Sequence, residues 1–318
     1  MSFEKLIPEK IFEAVEDALG IKLTSCISTF PSYINRVYEL VAADGKRLVV
    51  KFYRPDRWSR EAILDEHRFV LDCQEAEIPV VAPVTLRNGE TLGEFDGIYM
   101  AVFPKRSGRQ LEINDDSDWY RLGSLVGRMH LAGEKRIAAA RITIDPSIST
   151  AHDVEYLCGS VIPERFRNQY RETGTRLIEL SAPLFEHIRK IRIHGDCHRG
   201  NIMDRLDEGF LLIDFDDMAM GPPVQDMWLL LPDRPDACPR EIELFLNGYE
   251  RFRSFDRTSL RCIEPLRAMR MIYFLAWCSR QTHDFQFRRN FPDWGTDSFW
   301  RKEINDLREQ MGFVEESV

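Results

Sequence analysis

The side chains of this sequence that could do chemistry are concentrated in residues 194–217, HGDCHRGNIMDRLDEGFLLIDFDD. Asp196 and Asn201 lie five residues apart, and a short hairpin after them can bring Asp214 back beside them. Phosphoryl transfer from a nucleotide requires an acceptor for the hydroxyl proton, oxygen ligands for a divalent cation, and a cation on the α- and β-phosphates. Mg²⁺ prefers hard oxygen ligands. The spacing therefore indicates a phosphotransfer site in which Asp196 is the proton acceptor and Asn201 and Asp214 bind Mg²⁺.

The remaining requirement is a cation on a strand, and Lys51 in the stretch LVVKFYRP is the candidate. The dipeptide Asp44-Gly45 between two β-rich segments predicts a hairpin, and its second strand carries Lys51. Residues 61–75 follow with helical periodicity. Glu66 on this helix is expected to hold the Lys51 ammonium extended toward the phosphates of ATP.

The same stretch admits a second interpretation, in which His194, Asp196 and His198 bind zinc in a metallohydrolase. On a strand, alternate side chains face the same side, so these three could meet one metal ion. Gly195 and Gly200 favour a loop instead, and no fourth ligand is evident in the sequence. The metallohydrolase is therefore a distant alternative. In the phosphotransfer site, His194 is expected to form structural hydrogen bonds, and the role of His198 stays open.

The other polar side chains of this region are expected to give support or to face solvent. Asp216 and Asp217 are expected to support Asp214 or the loop after it, and Asp226 to cap or brace the helix that follows it. Cys197 is expected to be a small side chain that fits the loop and not a redox switch. The acids in or beside the intervening turn are expected to be solvated charges: Asp204, Asp207 and Glu208.

Bulk composition narrows the class of protein. With 318 residues, of which 44% are hydrophobic and 30% charged, the chain is expected to be globular and is long enough for two lobes. A net charge of −9 argues against nucleic acid as a partner. Seven scattered Cys without a Cys-x-x-Cys pair indicate free thiols, and no apolar run is long enough for a signal peptide or a membrane helix. We expect a cytoplasmic monomer that binds neither nucleic acid nor membranes.

Periodicity and turn signals predict a β-rich region followed by a mainly helical one. A helix after Pro8 is expected to end at Gly20, and a polar segment that begins at Pro104 is a candidate linker. The predicted strands are residues 35–42, 47–53, 80–86, 97–103, 202–203 and 210–215, and further helices are expected from residue 119 and over residues 223–318.

Several motifs together resemble a known family. The segment from His194 to Asn201 resembles the catalytic loop of protein kinases and, more closely, that of aminoglycoside- and choline-kinase-like enzymes. The segment IDFD at 213–216 resembles their metal-binding segment. From about residue 31 to residue 300 the sequence resembles the bacterial stress response kinase A family, through SYINRVY, VVKFYRPDRW, AVFP, GRQ, HGDCHRGN, DFDD, GPPVQDMW and EPLRAMR.

The resemblance implies an atypical Ser/Thr protein kinase, active in stress survival, with an α+β, bilobal protein-kinase-like fold. Its β-rich N-lobe, with an antiparallel sheet, is expected over residues 1–103, a hinge or linker over 104–111, and a larger, mainly helical C-lobe over 112–318. Carried over by position, the resemblance makes Asp196 the proton acceptor, Asn201 an Mg²⁺ ligand, and Asp214 an Mg²⁺ ligand with a further catalytic role. Ser32, just before the first predicted strand, becomes an ATP contact.

The acceptor of the phosphoryl group is left open between two classes. The same catalytic residues serve a protein kinase and a kinase of an amino alcohol, a sugar or an aminoglycoside. An acid-lined pocket would favour a cationic small molecule, and an open surface of mixed charge would favour a protein. Glu264, Arg267 and Arg270 share one side of a predicted helix, where they either form ion pairs within the helix or present a basic rim to the substrate.

Overall fold

The computed structural model describes residues 3–32, 34–206, 208–283 and 285–317. Tyr33 of the motif SYINRVY and the turn acid Asp207 lie outside the described residues. The N-terminal region is built around a five-stranded antiparallel sheet. Its strands are β1 (Leu23–Phe30), β2 (Arg36–Ala42), β3 (Arg47–Phe52), β4 (Gly93–Phe95) and β5 (Ile98–Pro104), which lie in the order β1-β2-β3-β5-β4.

Two helices accompany this sheet, α1 (Pro8–Leu19) and α2 (Arg60–Glu75). α1 ends as predicted at Gly20, whose φ of 70° lies in the left-handed region and whose N–H bonds to the carbonyl of Glu16. α2 begins after Ser59, whose side chain accepts the N–H of Ala62. Gly45 has a φ of 87° in the turn between β2 and β3, which confirms the predicted hairpin.

Two features of the N-terminal region differ from the sequence prediction. β1 is absent from that prediction, because its sequence LTSCISTF is rich in small polar side chains and it lies at the edge of the sheet. The strand predicted over residues 80–86 is wrong, since within this fully described segment only Val80 forms a bridge, to Leu212. Pro79 and Pro83 lack the N–H groups that a strand ladder needs.

The C-terminal region is mainly helical, as predicted. Its helices are α3 (Asp116–Gly133), α4 (Ala151–Ser160), α5 (Glu164–Phe185), α6 (Val224–Trp228), α7 (Pro239–Tyr249), α8 (Ile263–Ser279), α9 (Phe285–Asn290) and α10 (Asp297–Ser317). α3 and α7 approach closely at Gly123, where an added Cβ would lie only 1.8 Å from the carbonyl oxygen of Phe245. This contact explains the small side chains in the stretch LGSLVG of α3.

Five short strands place the polar stretch of residues 194–217 between the two regions. They are β6 (Arg109–Gln110), β7 (Ile191–Ile193), β8 (Ile202–Asp204), β9 (Phe210–Leu212) and β10 (Ala219–Gly221). β8 pairs with β9 and with β6, and β7 pairs with β10, all antiparallel. The predicted hairpin after Asn201 is therefore confirmed, although its second strand ends at Leu212, so that Asp214 lies in the segment beyond it.

The described part of the chain contains no helix that is long and apolar enough to cross a membrane. All seven Cys are free thiols, as predicted, and six of them are buried.

Candidate active site

Residues 194–201, here called the Asp196 loop, follow β7 and are fixed through their backbone. Gly195 has a φ of 83°, and a Cβ there would lie 2.1 Å from the carbonyl oxygen of Asp217, so the position requires glycine. The buried carboxylate of Asp226 accepts the N–H groups of His194 (2.7 Å) and Gly195 (2.8 Å). The prediction that Asp226 caps or braces the helix that follows it is wrong, because its oxygens accept N–H groups of this loop instead.

A chain of polar contacts continues from the loop into the helical region. Asp226 Oδ2 also lies 2.9 Å from His130 Nε2, and His130 Nδ1 lies 2.9 Å from the hydroxyl of Tyr249. Burial lowers the pKa of His130, so the neutral ring donates to Asp226 and accepts from Tyr249. Arg253 donates to the same hydroxyl and pairs with Glu134. The Asp196 loop is thereby attached to α3, α6 and α7.

Asp196 is held in one orientation by partners on both carboxylate oxygens. Arg270 Nη2, on α8, donates to Oδ1 at 2.7 Å, and Asn201 Nδ2 donates to the Asp196 carbonyl at 2.9 Å and to Oδ2 at 3.3 Å. His198 Nε2 is 3.4 Å from Oδ2. Burial raises the pKa of Asp196, but the hydrogen bond from His198 and the charge of Arg270 lower it by more, and the pKa is about 2. Asp196 is therefore ionised at neutral pH.

The two histidines of the loop are fixed by contacts that do not suit a zinc site. His194 is fully buried, and its Nε2 donates to the carbonyl of Ile213 (2.9 Å), so His194 is structural as predicted. His198 Nδ1 accepts the N–H of Gly200 (2.9 Å), so the ring proton is on Nε2, facing Asp196. Within the described residues, no group of three or more His, Cys, Asp or Glu side chains is arranged to hold a metal ion. The metallohydrolase ligands do not converge.

The β8–β9 hairpin brings Asp214 back to the Asp196 loop, as predicted. The N–H of Ile213 donates to the carbonyl of Asn201 at 3.0 Å, so the residue before Asp214 is bonded to Asn201. Asp214 has a φ of 58°, in the left-handed region that residues other than glycine seldom adopt. Its side chain is 55% exposed, which leaves the carboxylate accessible to solvent. Backbone strain of this kind is concentrated at functional sites.

Lys51 lies in β3, between β2 and β5, and is buried. Its Nζ is 3.0 Å from Asp216 Oδ1, 3.1 Å from Asp214 Oδ1 and 3.9 Å from Glu66 Oε1. Burial alone would lower the pKa of Lys51, but the charges of these carboxylates raise it well above its usual value. The structure brings Lys51 and Asp214 together, whereas the expected partner Glu66 is the most distant of the three carboxylates.

Glu66 is bound more closely by Arg141, a residue that no sequence signal identifies. Arg141 Nη2 donates to Glu66 Oε2 at 2.7 Å, and its Nε and Nη1 donate to the carbonyls of Ala62 and Asp216, each at 2.8 Å. All of these groups are buried. Arg141 lies in the connection after α3, within AAARITID, where neither periodicity nor a motif marks it. It fastens α2 to the segment that follows Asp214.

Arg57 is a second arginine missing from the sequence prediction, and it bridges the two regions. It lies in the loop after β3, and its guanidinium pairs with Asp216 and, at 2.6 Å, with Asp217 Oδ1. Tyr273, on α8, donates to the same oxygen of Asp217 at 3.0 Å. Burial raises the pKa of Asp216, but Arg57 and Lys51 hold it well below its usual range. The two aspartates thus support this segment through ion pairs, as predicted.

Ser32 is half-buried. It lies in the turn between β1 and β2 and not before the first strand, since the unpredicted strand β1 precedes it. The turn is joined to the loop after β3 by two hydrogen bonds. Asn35 Oδ1 accepts the N–H of Arg54 at 3.0 Å, and Arg54 Nε donates to the carbonyl of Ile34 at 2.9 Å. The ATP contact of Ser32 stays a prediction.

The charged residues of α8 have different partners. Neither the prediction of ion pairs within the helix nor that of a basic rim facing the substrate describes all three of them. Glu264 pairs with Arg234 at 2.6 Å, while Arg267 lies 3.9 Å from Glu264 and donates to the carbonyl of Asp233. Arg270 alone of the three α8 residues reaches Asp196.

Comparison with known proteins identifies the family. The model of the Phosphotransferase enzyme family matches residues 27–263. Stress response kinase A of Escherichia coli (strain K12) is 37% identical over 324 aligned residues, which cover 99% of this chain and 95% of that protein. Serine/threonine protein kinase RdoA of Salmonella typhimurium (strain LT2) is 36% identical, with the same coverage of 99% and 95%. The chain belongs to the stress response kinase A family. It is a kinase, and this part of the functional prediction is confirmed.

The fold of this kinase is shared with solved structures of low sequence identity. Amicoumacin kinase hAmiN, in complex with AMP-PNP, Ca²⁺ and Ami, has a TM-score of 0.74 at 17% identity, covering 94% of this chain and 93% of that chain. A likeness at this identity shows the fold alone. The predicted α+β, bilobal kinase-like fold is confirmed.

The structure bears out the plainer interpretations of Cys197 and Glu208, but not the expectation that Asp204 is a solvated charge. Cys197 is fully buried, and burial raises the pKa of its thiol well above the usual value, so it packs inside the loop as an unreactive side chain. Glu208 is exposed and pairs with Arg205, whereas Asp204 is half-buried at the end of β8.

A cavity of about 1440 Å³ opens between the two regions of the kinase, beside the Asp196 loop. Its wall is formed by the loop after β3 (residues 54–58), by residues 142–153 and by α8. Gly195 of the Asp196 loop lies in this wall together with Arg270, so the cavity borders the loop at Gly195. Ile142 and Ile148 expose apolar surface to it.

Proposed function

We propose that this kinase transfers the γ-phosphate of ATP to a Ser or Thr hydroxyl of a protein. The observation that carries the proposal is a continuous set of contacts: the buried, cationic Lys51 pairs with Asp214, the residue before Asp214 is bonded to Asn201, and Asn201 donates to the ionised Asp196. Phosphoryl transfer is catalysed mainly by positioning and by stabilisation of charge, and these groups supply both. Asp196 would accept the hydroxyl proton, Lys51 would steady the α- and β-phosphates, and Glu66 would help to hold Lys51.

Asn201 and Asp214 fit a divalent cation, and we propose that it is Mg²⁺. Their amide and carboxylate oxygens are the hard ligands that Mg²⁺ prefers. Asn201 uses Nδ2 to bind Asp196, which directs Oδ1 away from that carboxylate, and Asp214 Oδ1 already attracts a cation, the Lys51 ammonium. When bound, Mg²⁺ would neutralise charge on the phosphates of ATP.

We propose that ATP lies between the two regions, with Ser32 contacting its phosphates from the β1–β2 turn. The lobe boundaries are those of the sequence prediction: an N-lobe over 1–103, a linker over 104–111 and a C-lobe over 112–318. Two observations support a linker there, since β5 ends at Pro104 and the next strand, β6, pairs with β8 instead. Backbone groups near Phe103 would then face the adenine.

The choice of a protein acceptor is supported by the cavity and by a relative. The cavity volume of about 1440 Å³ exceeds the roughly 300–1,000 Å³ typical of small-molecule pockets. A pocket for a cationic amino alcohol or aminoglycoside would be rich in acids, whereas the charged lining of this cavity is mixed. The charged residues in it are Arg36, Arg54, Arg57, Arg270, Arg280, Asp56, Asp153 and Asp217. The name serine/threonine protein kinase belongs to the Salmonella relative.

The deciding experiment is a γ-labelled ATP assay with generic protein acceptors and, in parallel, a panel of amino alcohols and sugars. We expect label on Ser or Thr of protein. Asp196→Ala should abolish transfer while Mg–ATP binding survives, and Asp214→Ala should lose both. Glu208→Ala, an exposed acid of the nearby turn, is the control and should keep both.

Transfer to small alcohols alone would overturn the protein acceptor. Turnover of Asp196→Ala near the wild-type rate would overturn the assignment of the proton acceptor.

We propose in addition that the kinase is a phosphoprotein that acts in the cytoplasm as a monomer, in a stress response. The seven free thiols support a reducing compartment. The stress role is taken from the names of the relatives.

A further inference from the structure

The cavity beside the Asp196 loop has an uneven distribution of charge. Two of its acids are largely buried: the side chain of Asp153 is 11% exposed and that of Asp217 is 27% exposed. Two of its arginines reach further out, with 38% of the Arg270 side chain and 49% of the Arg280 side chain exposed. Asp56 is an exposed acid of the same wall. Cationic groups therefore dominate the α8 side of the cavity.

Arg280, the residue that follows α8, is held in place by an aromatic ring and by one long ion pair. Its guanidinium stacks on the ring of Tyr156, 4.8 Å from the centroid, and the Tyr156 hydroxyl lies 3.1 Å from Ser279 Oγ. Asp153 pairs with Nη2 at 3.8 Å, which is longer than a hydrogen bond, so the guanidinium keeps its hydrogen-bond donors for another carboxylate. A guanidinium fixed in this way can bind a carboxylate through two parallel hydrogen bonds.

The distance between Arg270 and Arg280 determines how far from the acceptor hydroxyl a carboxylate of a bound peptide would have to lie to reach Arg280. Arg270 marks the acceptor position because it contacts Asp196. Arg280 follows ten residues later on the same cavity wall, about 15 Å along the helix. An extended peptide advances about 3.3 Å per residue, so its side chain about four or five positions from the acceptor hydroxyl would reach Arg280.

We propose that the acceptor segment is acidic: an extended peptide with Asp or Glu about four or five positions from its Ser or Thr, bound through that carboxylate by Arg280. The inference deepens the protein-kinase proposal and rests on it. Arg280 is remote from the reacting atoms, so it affects the KM for the peptide and not kcat. An exposed ion pair is screened by salt, so the preference for acidic peptides weakens as ionic strength rises.

The test measures kcat and KM for synthetic peptides that contain a single Ser. Three peptides carry Glu, Gln or Lys at both the fourth and the fifth position after the Ser, and three more carry the same residues at the fourth and fifth positions before it. We expect a KM about threefold or more lower for the Glu peptide than for the Lys peptide. Arg280→Gln should remove this difference, Arg280→Glu should reverse it, and Arg280→Lys should keep it. Arg171→Gln is the matched control, since Arg171 is 43% exposed and lies 3.5 Å from Glu155 outside the cavity.

Equal KM values for the three wild-type reactions, or a preference for Lys, would overturn the acidic acceptor while leaving the protein-kinase function intact. A preference for Glu that persists in Arg280→Gln would overturn the role of Arg280. If no peptide of any charge is phosphorylated while amino alcohols or sugars are, the protein-kinase proposal fails, and the inference fails with it.

Discussion

Arg270 is the side chain whose removal tests the electrostatic description of the site most directly. It donates to Asp196 Oδ1 at 2.7 Å, while Asn201 and His198 hold Oδ2 at 3.3 and 3.4 Å. Arg270→Ala therefore leaves one carboxylate oxygen without its cation and keeps the partners of the other. We expect Asp196 to remain in place but to lose the orientation in which it faces the acceptor hydroxyl.

The size of the effect follows from the exposure of the pair. A hydrogen bond between charged groups contributes about 1.5–3 kcal/mol when sheltered, and the 38% exposure of Arg270 reduces this through solvent screening. A loss of about 1–2 kcal/mol in the transition state corresponds to a fall of roughly 5- to 30-fold in kcat. The KM for ATP should stay unchanged, because Arg270 binds Asp196 and neither Lys51 nor Asp214.

The assay is steady-state phosphoryl transfer with a protein acceptor, together with a thermal melt to check folding. Arg270→Lys should retain part of the rate, and free guanidinium ion at low concentration should partly restore turnover of Arg270→Ala. Arg267→Ala is the matched control, because Arg267 lies on the same helix and donates to the carbonyl of Asp233 instead.

An unchanged kcat in Arg270→Ala would refute the role of the ion pair in orienting Asp196. An equal loss in Arg267→Ala would assign the effect to packing of α8.

Three further predictions concern stability. Asp216→Asn breaks a buried ion pair with Lys51 (3.0 Å) and should lower the free energy of unfolding by about 3–5 kcal/mol in urea titration; a loss below about 1 kcal/mol would contradict the pair. Gly123→Ala should cost about 1–3 kcal/mol and lower Tm, since its Cβ would lie 1.8 Å from a carbonyl of α7, whereas Gly159→Ala, with open space around it, should not. Burial, with the nearby charges of Lys51 and Arg141, lowers the pKa of His67 from 6.5 to about 3, so the unfolded chain binds a proton that the folded one excludes. Stability present above pH 6.5 is then lost as the pH falls toward 3, by about 1.4 kcal/mol near pH 5.5, and His67→Gln should flatten this slope; an unaltered slope would be evidence against a buried neutral ring.

The parts of the fold and site that local signals determine could be predicted from the sequence. Asp44-Gly45 specifies the hairpin that carries Lys51, and Gly20 specifies the end of α1. The spacing of Asp196 and Asn201, with a hairpin after them, sufficed to predict that Asp214 returns to the side of Asn201. β1 was not predictable in this way, because a polar edge strand is stabilised by its pairing with β2 and not by a pattern of its own.

The arginines of the site lie beyond what local signals encode. Arg57, Arg141 and Arg270 act on carboxylates that are between 74 and 160 positions away in the chain. Such contacts depend on how two regions of the fold face each other, and an arginine in a loop or on a helix looks like many surface arginines in the sequence. Arg270 was a candidate only because it shares a helix side with Glu264 and Arg267.

The polar chain from the Asp196 loop through Asp226, His130 and Tyr249 has a consequence for heat inactivation. Loops at active sites often open locally before the rest of the protein unfolds. Here the loop N–H groups are bonded to a carboxylate that is buried together with α3 and α7, so local melting of the loop would break polar contacts inside the helical region. We expect enzymatic turnover and the α3–α7 packing to be lost at the same temperature, with no range in which the kinase is folded but inactive.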